Sequence, residues 1–482
     1  MSDSQTGSAG GPPATYQHGL RRAINTLGNV AISVSGITPT ASVFIIAPVA
    51  FAAQGTGTFW AFVIAAVIGI GMAMCWGELG SAYPVVGGSY SLVSRVLGRP
   101  VGFVVFVLVL VTAIIIPSSI ALGAGQYLSV IWPGENANLI GAAIMVITAL
   151  IAMLTIEMNA RVTGLFLALE LLVVLVVTIL GLTHIHQPPS VLIFAHTFDA
   201  KGNSFPITLG AVLTGVATGV YAYNGYDSPI IYSEETRGHR RNVAKAVFWS
   251  LGITVAAELI PTVMALLAAP SLAKLTTAPT PMQYMITAVG GSTLNTIISL
   301  GVALAIFNAT LAIILSVSRI LYSSGRDRGW PEPISTWLAT LHPRLRTPWI
   351  ATIFVGVVGA VLTGVSNLAA LVTFTGVILV VIYALIALSA VVSRIRQKAL
   401  VRPYRMPIWP IPPIVALAGL VVVATQQTLR DVGIVAAFVA AALIYYVIYL
   451  RGKEGTRWVM LEPTTAEAEA LNEASAGPAG QL

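Results

Sequence analysis

The chain has 482 residues, of which 56% are hydrophobic and only 9% charged, against roughly a quarter charged in ordinary soluble domains. That balance excludes a water-soluble fold and makes the spanning helix of about 20 apolar residues the unit to count. The formal net charge of +7 does not point to nucleic acid, because the basic residues are scattered at the ends of apolar runs, where membrane orientation accounts for them.

Residues 1–20 open with MSDSQTGSAGGPPAT, small and polar, without the short apolar segment of a secretory signal, and predict a disordered cytoplasmic N-terminus. Apolar runs then fall at 27–53, 59–80, 101–130, 138–156, 162–183, 207–233, 244–268, 293–320, 348–365, 368–392, 411–429 and 432–450, which predicts twelve transmembrane helices. The third has an alternative start near Gly88. Residues 21–398 hold the first ten runs, 399–452 the last two, and 453–482, acidic and small, predict a disordered cytoplasmic tail. With the N-terminus inside, only Lys201, Lys274 and Arg430 of the 25 lysines and arginines fall outside. Both termini are then cytoplasmic. The single cysteine, Cys75, lies in an apolar run and rules out an intramolecular disulfide.

Two runs carry Gly and Pro at mid-span: Ser35-Gly36-Ile37-Thr38-Pro39-Thr40 in the first and Tyr223-Asn224-Gly225-Tyr226-Asp227-Ser228-Pro229 in the sixth. In lipid a broken backbone is tolerated only where protein, water or ligand satisfies its N–H and C=O groups. The two runs are five apart and enter from opposite sides, the register of two inverted five-helix repeats. Freed N–H groups suit a carboxylate and freed carbonyls an ammonium, so one zwitterion satisfies both. The plainer alternative is a pair of kinks, which membrane helices commonly contain.

Three further stretches carry a resemblance. They are Glu78-Leu79-Gly80-Ser81-Ala82-Tyr83-Pro84-Val85-Val86-Gly87-Gly88-Ser89-Tyr90 with Arg95 and Gly98, then Ser233-Glu234-Glu235-Thr236, then Ser318-Arg319-Ile320-Leu321-Tyr322 running on to Arg326-Asp327 and Pro331. In these the chain resembles the amino acid, polyamine and organocation (APC) transporter superfamily. The resemblance implies an all-α integral membrane fold of 12 transmembrane helices, a LeuT-like 5+5 inverted repeat with discontinuous helices 1 and 6. It implies a permease, not an enzyme, that moves amino acids or related amines across the cell inner membrane by alternating access, coupled to H+ or Na+ or by exchange. Polyamine, choline or GABA-type amines are the alternative substrates. Its partners would be that small molecule, the coupling ion and the lipid bilayer, as monomer or dimer, with no cofactor. The first break departs from the family's glycine-rich pattern, since Pro39 has no N–H to offer a carboxylate.

Charges at mid-span cost about 2.5–3.5 kcal/mol and are functional candidates by default. Glu170 lies nine residues past Arg161, hence about 13 Å up its helix, where many relatives carry a lysine. It is a candidate proton carrier or cation partner, set against a protonated acid that only hydrogen-bonds a neighbour. Glu258 is a second coupling candidate, alone or sharing a proton with Glu170, set against a structural role. Asp227 follows the second break and could meet a substrate ammonium. Substrate-binding candidates are Ser35, Gly36, Ile37, Thr38, Tyr223, Asn224, Gly225, Tyr226 and Asp227, with Ser119 beside Ser118, and Asn308, as weaker members. Glu78, Arg95, Glu235 and Arg326 sit near cytoplasmic helix ends and are candidates for a gate of ion pairs, set against ordinary solvated charges. Ser316 and Ser318 could serve sodium, though membrane serines commonly bond back to their own helix.

No phosphate-binding G-x-x-x-x-G-K-[ST] and no H-E-x-x-H motif occurs. His184, His186 and His196 lie in the outer loop at 184–205 and could hold a metal, though exposed loop histidines are more often solvated. A non-transporting membrane sensor on the same scaffold, a six-plus-six facilitator and a channel are the other classes; the breaks argue against the facilitator and the missing filter sequence against the channel.

Overall fold

A computed structural model describes residues 25–83, 88–129, 132, 134–153, 159–199, 201–231, 241–345, 347–453 and 455–458. Among them, seven helical segments are long and apolar enough to cross a membrane, and four shorter apolar helices accompany them. The segment at Thr26–Ala82 is 57 residues long and turns at Gly55, so it holds the first two apolar runs.

The first run does not form one helix. Helix α1 (Thr26–Ile37) starts at Asn25, whose side chain accepts from the Gly28 N–H at 2.7 Å. It stops at Thr38, which adopts a left-handed conformation with φ 61° and ψ 70°. The chain resumes as a turn at Pro39–Ala41, widens to a π-helical turn at Ser42–Ile46 and ends as α2 (Ala47–Gln54). Pro39 takes the first position of the resumed helix, where its missing N–H would have been unsatisfied in any case. The second run is α3 (Thr58–Ala82).

The third run divides into α4 (Gly88–Leu97) and α5 (Arg99–Leu128), parted by Gly98 at φ 102° with Pro100 entering the second helix. Helices α6 (Ala137–Ala152) and α7 (Asn159–Thr183) follow. The loop after α7 then holds a small antiparallel hairpin, His196–Phe198 against Ser204–Pro206. At its tip the Asn203 side chain and backbone N–H donate to Asp199 and hold that carboxyl below its ordinary value.

The sixth run also breaks. Helix α8 (Leu209–Ala222) is capped by Thr208 and ends in turns over 223–227, after which Ser228–Ile230 makes a single tight turn. Helix α9 (Arg241–Ala268) contains Pro261. Helix α10 (Pro281–Arg326) begins twelve positions before the expected run and bends at Gly291, whose φ of 82° leaves the helical region. The less apolar sequence before that glycine hid its first turns from a hydropathy reading. The last four are α11 (Trp349–Val365), α12 (Leu368–Arg396), α13 (Ile411–Thr425) and α14 (Leu429–Tyr445), which loosens into a π-helical turn at Tyr446–Leu450.

One continuous core runs through the bundle, with α3, α5, α8, α10 and α12 supplying much of it. Small residues bring backbones together where a side chain would not fit. A Cβ on Gly376 of α12 would sit 2.5 Å from the Ala217 carbonyl oxygen of α8, just before the sixth-run break. Apolar side chains such as Leu139, Leu172, Leu175, Val357 and Ile448 remain exposed on the outer helices, as a lipid-facing surface requires.

Candidate functional site

The two breaks meet. Gly225, at φ 112°, leaves space that a Cβ would fill 2.9 Å from Ile37 Cγ1. Above and below that contact, the Ser42 hydroxyl donates to the Ala222 carbonyl at 2.9 Å and Asn29 Nδ2 donates to the Pro229 carbonyl at 3.2 Å. As the first run advances from 29 through 37 to 42, its partners retreat from 229 through 225 to 222. The two broken segments therefore cross antiparallel, the first run giving hydrogen bonds to carbonyls of the sixth and filling the space beside Gly225.

Most of the residues singled out in sequence gather here. Ser35 and Thr38 are buried, whereas Gly36 is exposed and a Cβ on it would meet no atom within 4 Å. Tyr223 and Tyr226 are buried at 1% exposure; the Tyr223 hydroxyl has no hydrogen-bond partner, and that of Tyr226 lies against the Tyr383 hydroxyl. Their rings pack edge-on, Tyr223 against Phe62 and Tyr226 against Tyr383. Asn224 Nδ2 donates to the Tyr383 hydroxyl at 3.0 Å. Asp227 is half-buried at the end of the turn. Ser119 shares a 2.7 Å hydrogen bond with the Tyr221 hydroxyl, while Ser118 donates to the Ile114 and Gly359 carbonyls. Asn308 is buried on α10, which packs against the turn at Pro39–Ala41. Tyr221, Tyr383 and Ser42 were missed in sequence because aromatic and hydroxyl side chains in apolar helices carry no signal of their own.

Glu170 and Glu258 are both fully buried; the Glu170 carboxyl has no hydrogen-bond partner, and that of Glu258 lies against the Ser42 hydroxyl. The Thr40 hydroxyl donates to the Glu170 backbone carbonyl at 3.3 Å, tying α7 to the segment beyond the first break. Glu258 faces Ser42 and Tyr223. Carboxyls at this depth are costly unless a proton, a cation or water joins them.

The cytoplasmic-end charges divide. Glu78, at 2% exposure, is not a solvated charge. Its carboxylate accepts from Arg394 Nε and Nη2 at 2.6 Å each, lies 3.1 Å from Arg402 Nε and accepts from the Met406 N–H at 2.8 Å. This joins α3 to the end of α12 and the segment after it. Beside it the Tyr83 hydroxyl donates to Gln397 Oε1 at 2.5 Å, and Gln397 Nε2 donates to the Arg95 carbonyl. In sequence, Arg394 and Arg402 registered only as orientation charges, because nothing local links them to a residue some 320 positions earlier. Arg326 pairs with its neighbour Asp327 at 3.0 Å, and burial pushes the Asp327 carboxyl above its ordinary value while Arg326 opposes the shift. Glu235 lies outside the described residues. Ser316 and Ser318 both bond back to carbonyls of their own helix.

Each loop histidine is engaged with backbone: His184 with the Leu180 carbonyl, His186 with those of His184 and Ala268, and His196 with that of Phe194. Among the described residues no cluster of three or more His, Cys, Asp or Glu is arranged to hold a metal ion.

Helices of membrane length, broken segments that cross one another and carboxyls buried beside them define a multi-pass membrane transport protein. The pattern of the amino acid permease family matches residues 24–450, and the chain belongs to that family, within the APC superfamily. An uncharacterized transporter of Mycobacterium tuberculosis (strain ATCC 25618 / H37Rv) is 27% identical over 430 residues, covering 89% of this chain and 91% of the other. The methylthioribose transporter of Bacillus subtilis is 22% identical over 82% of this chain and 86% of its own length. The human cationic amino acid transporter 4 is 25% identical over 80% of this chain and 62% of its own. The chain is thus a permease that carries a small molecule across a membrane.

Proposed function

We propose that this permease moves an amino acid or a related amine by alternating access around the crossed breaks, in the inner or plasma membrane and with both termini cytoplasmic. The observation that carries this reading is the antiparallel contact of the two breaks at Asn29–Pro229, Ile37–Gly225 and Ser42–Ala222, the relation expected of first helices in two inverted repeats. The turn at Gly55 and the short apolar helices support twelve spans, with a ten-helix core over 21–398 and two further helices in 399–452. The exposed Gly36, the free Tyr223 hydroxyl and Asn224 offer a small polar pocket with aromatic walls. Substrate would sit there while α1, α3, α8 and α9 rock against the rest.

Pro39 leaves fewer donors for a carboxylate, while Asp227, Glu170 and Glu258 bring negative charge, so the pocket favours an amine-bearing substrate. Glu170 and Glu258 carry the coupling, binding a proton or cation better in one state than in the other. Counterflow of radiolabelled substrate in proteoliposomes, after a thermal-shift screen against amino acids, γ-amino acids, polyamines and choline, tests the reading. A ligand that raises the melting temperature and exchanges across the bilayer is the expected result. A ligand that binds without exchanging would favour the sensor and overturn it. Normal gradient-driven accumulation by Glu170→Gln would remove that residue from coupling.

A further inference from the structure

Hydroxyls inside membrane helices usually satisfy themselves by bonding back one turn. Thr112, Thr148, Thr262, Thr310 and Thr375 all do so here. Ser250 and Thr254 on α9 do not: both are fully buried and neither hydroxyl has a partner. They stand four and eight residues before Glu258 on one face, at steps of about 6 Å.

Two contacts fix the height of Glu170 against this row. Near the cytoplasmic side, Leu167 of α7 packs on Val30, Val34 and Ala246. Toward the outer end, a Cβ on Gly181 would fall 2.6 Å from Met264 Cβ. Between these points α7 and α9 run parallel, and even spacing puts Glu170 at about the height of Ser250, roughly two turns below Glu258. The same face of α9 is covered by the first run, from Val30 and Val34 beside Ala246 to Ser42 beside Glu258. The break at Thr38 therefore lies against Ser250 and Thr254.

We infer that Ser250 and Thr254 form a hydroxyl relay that passes a proton between Glu170 and Glu258 alongside the first break. The inference rests on the coupling role proposed above for the two carboxyls. The Ser250 hydroxyl takes the proton that leaves a Glu170 carboxyl oxygen and releases its own to the Thr254 hydroxyl, which releases its own in turn to Glu258, with water completing the steps of about 6 Å. The net change is one proton moved and no other bond altered. The titratable groups that neighbouring elements bring are Arg161 and Glu170 on α7, Tyr223 and Asp227 after α8, Tyr284, Arg319, Tyr322 and Arg326 on α10, and Tyr404, whose ring meets Phe248 of α9. The described part of the first run has none. On α3 they are Cys75 and Glu78, the latter held by Arg394 and Arg402. Because α1 packs on this face, movement of the broken segment would open or close the relay with the transport cycle.

The test uses full-length protein in proteoliposomes loaded with a pH-sensitive dye and given an external mixture of the twenty amino acids, GABA, putrescine, spermidine and choline. Wild type should acidify the lumen. Thr254→Val, which keeps the shape and removes the hydroxyl, should slow acidification at least tenfold while exchange of preloaded radiolabelled mixture stays within twofold, and Thr254→Ser should restore it. Acidification by Thr254→Val at the wild-type rate, while Glu258→Gln abolishes it, would overturn the relay and leave the carboxyl reading standing. Loss of both acidification and exchange in Thr254→Val would mark a packing role and also overturn the relay. A wild type that moves no protons, or Glu170→Gln and Glu258→Gln variants that both acidify normally, would bring down the coupling reading and the relay with it.

Discussion

At the scale of single residues, the buried charges fall into two kinds, and they respond differently to substitution. Glu78 is satisfied by two arginines and a backbone N–H, so its charge is matched and its loss strands the arginines. Breaking a buried pair from one side typically costs about 3–5 kcal/mol, because the remaining charge is left without compensation. Glu78→Gln should therefore lower the melting temperature markedly. Arg394→Ala made in the Glu78→Gln background should cost much less than in the wild type, which a double-mutant cycle in detergent would measure. Independent, additive losses would show that the pair contributes nothing beyond its separate packing. Glu170 and Glu258 are the other kind. With no arginine to strand among the described residues, each should gain stability on replacement by glutamine wherever its carboxyl would otherwise be ionised, since a neutral amide is cheaper to bury than a carboxylate. A fall in melting temperature for both glutamine variants would contradict that.

At the scale of elements, the breaks were legible because glycine and proline at mid-span conflict with a hydropathy that otherwise demands unbroken helix. What could not be read was how each break is built. The sequence placed the concern at Pro39, yet the left-handed residue is Thr38, and Pro39 merely starts the resumed helix. A threonine there gives no warning, since most left-handed positions belong to glycine or asparagine. In the second break glycine does occupy the positive-φ position, at Gly225. The two breaks should thus respond oppositely. Thr38→Gly removes a left-handed β-branched residue and should stabilise by about 1 kcal/mol. Gly225→Ala should destabilise, both from its φ of 112° and from the 2.9 Å approach to Ile37. Thermal unfolding of the two variants side by side reads the signs, and a shared sign would refute this account of the breaks. The helical start at Pro281 and the small hairpin after α7 were illegible for a different reason. Both lie outside the apolar stretches and are short or polar, so no periodicity of useful length marks them.

At the scale of the whole molecule, one corner of the bundle is closed by residues that composition assigns to a tail. Trp458, beyond the last helix, is buried at 5% exposure among Tyr90, Phe103 and Phe106. Arg457 just before it lies over the Tyr449 ring, and the Tyr449 and Tyr445 hydroxyls donate to the Trp330 and Gly329 carbonyls. The segment after α14 is thereby fastened to α4, to α5 and to the turn after α10, elements distant in sequence and all outside the crossed breaks. A buried tryptophan truncated to alanine typically costs about 3–5 kcal/mol. Trp458→Ala should accordingly unfold at lower temperature, and a chain ended after Thr456 should behave the same way. The cluster touches no residue of the proposed pocket or relay, so the fraction that remains folded should bind substrate with unchanged affinity. A variant of wild-type stability would mean that this corner is held by Trp330 and the helix-end tyrosines alone. A changed affinity at unchanged stability would instead connect this corner to the transport cycle, through the ends of α5 and α10 that reach from it into the core.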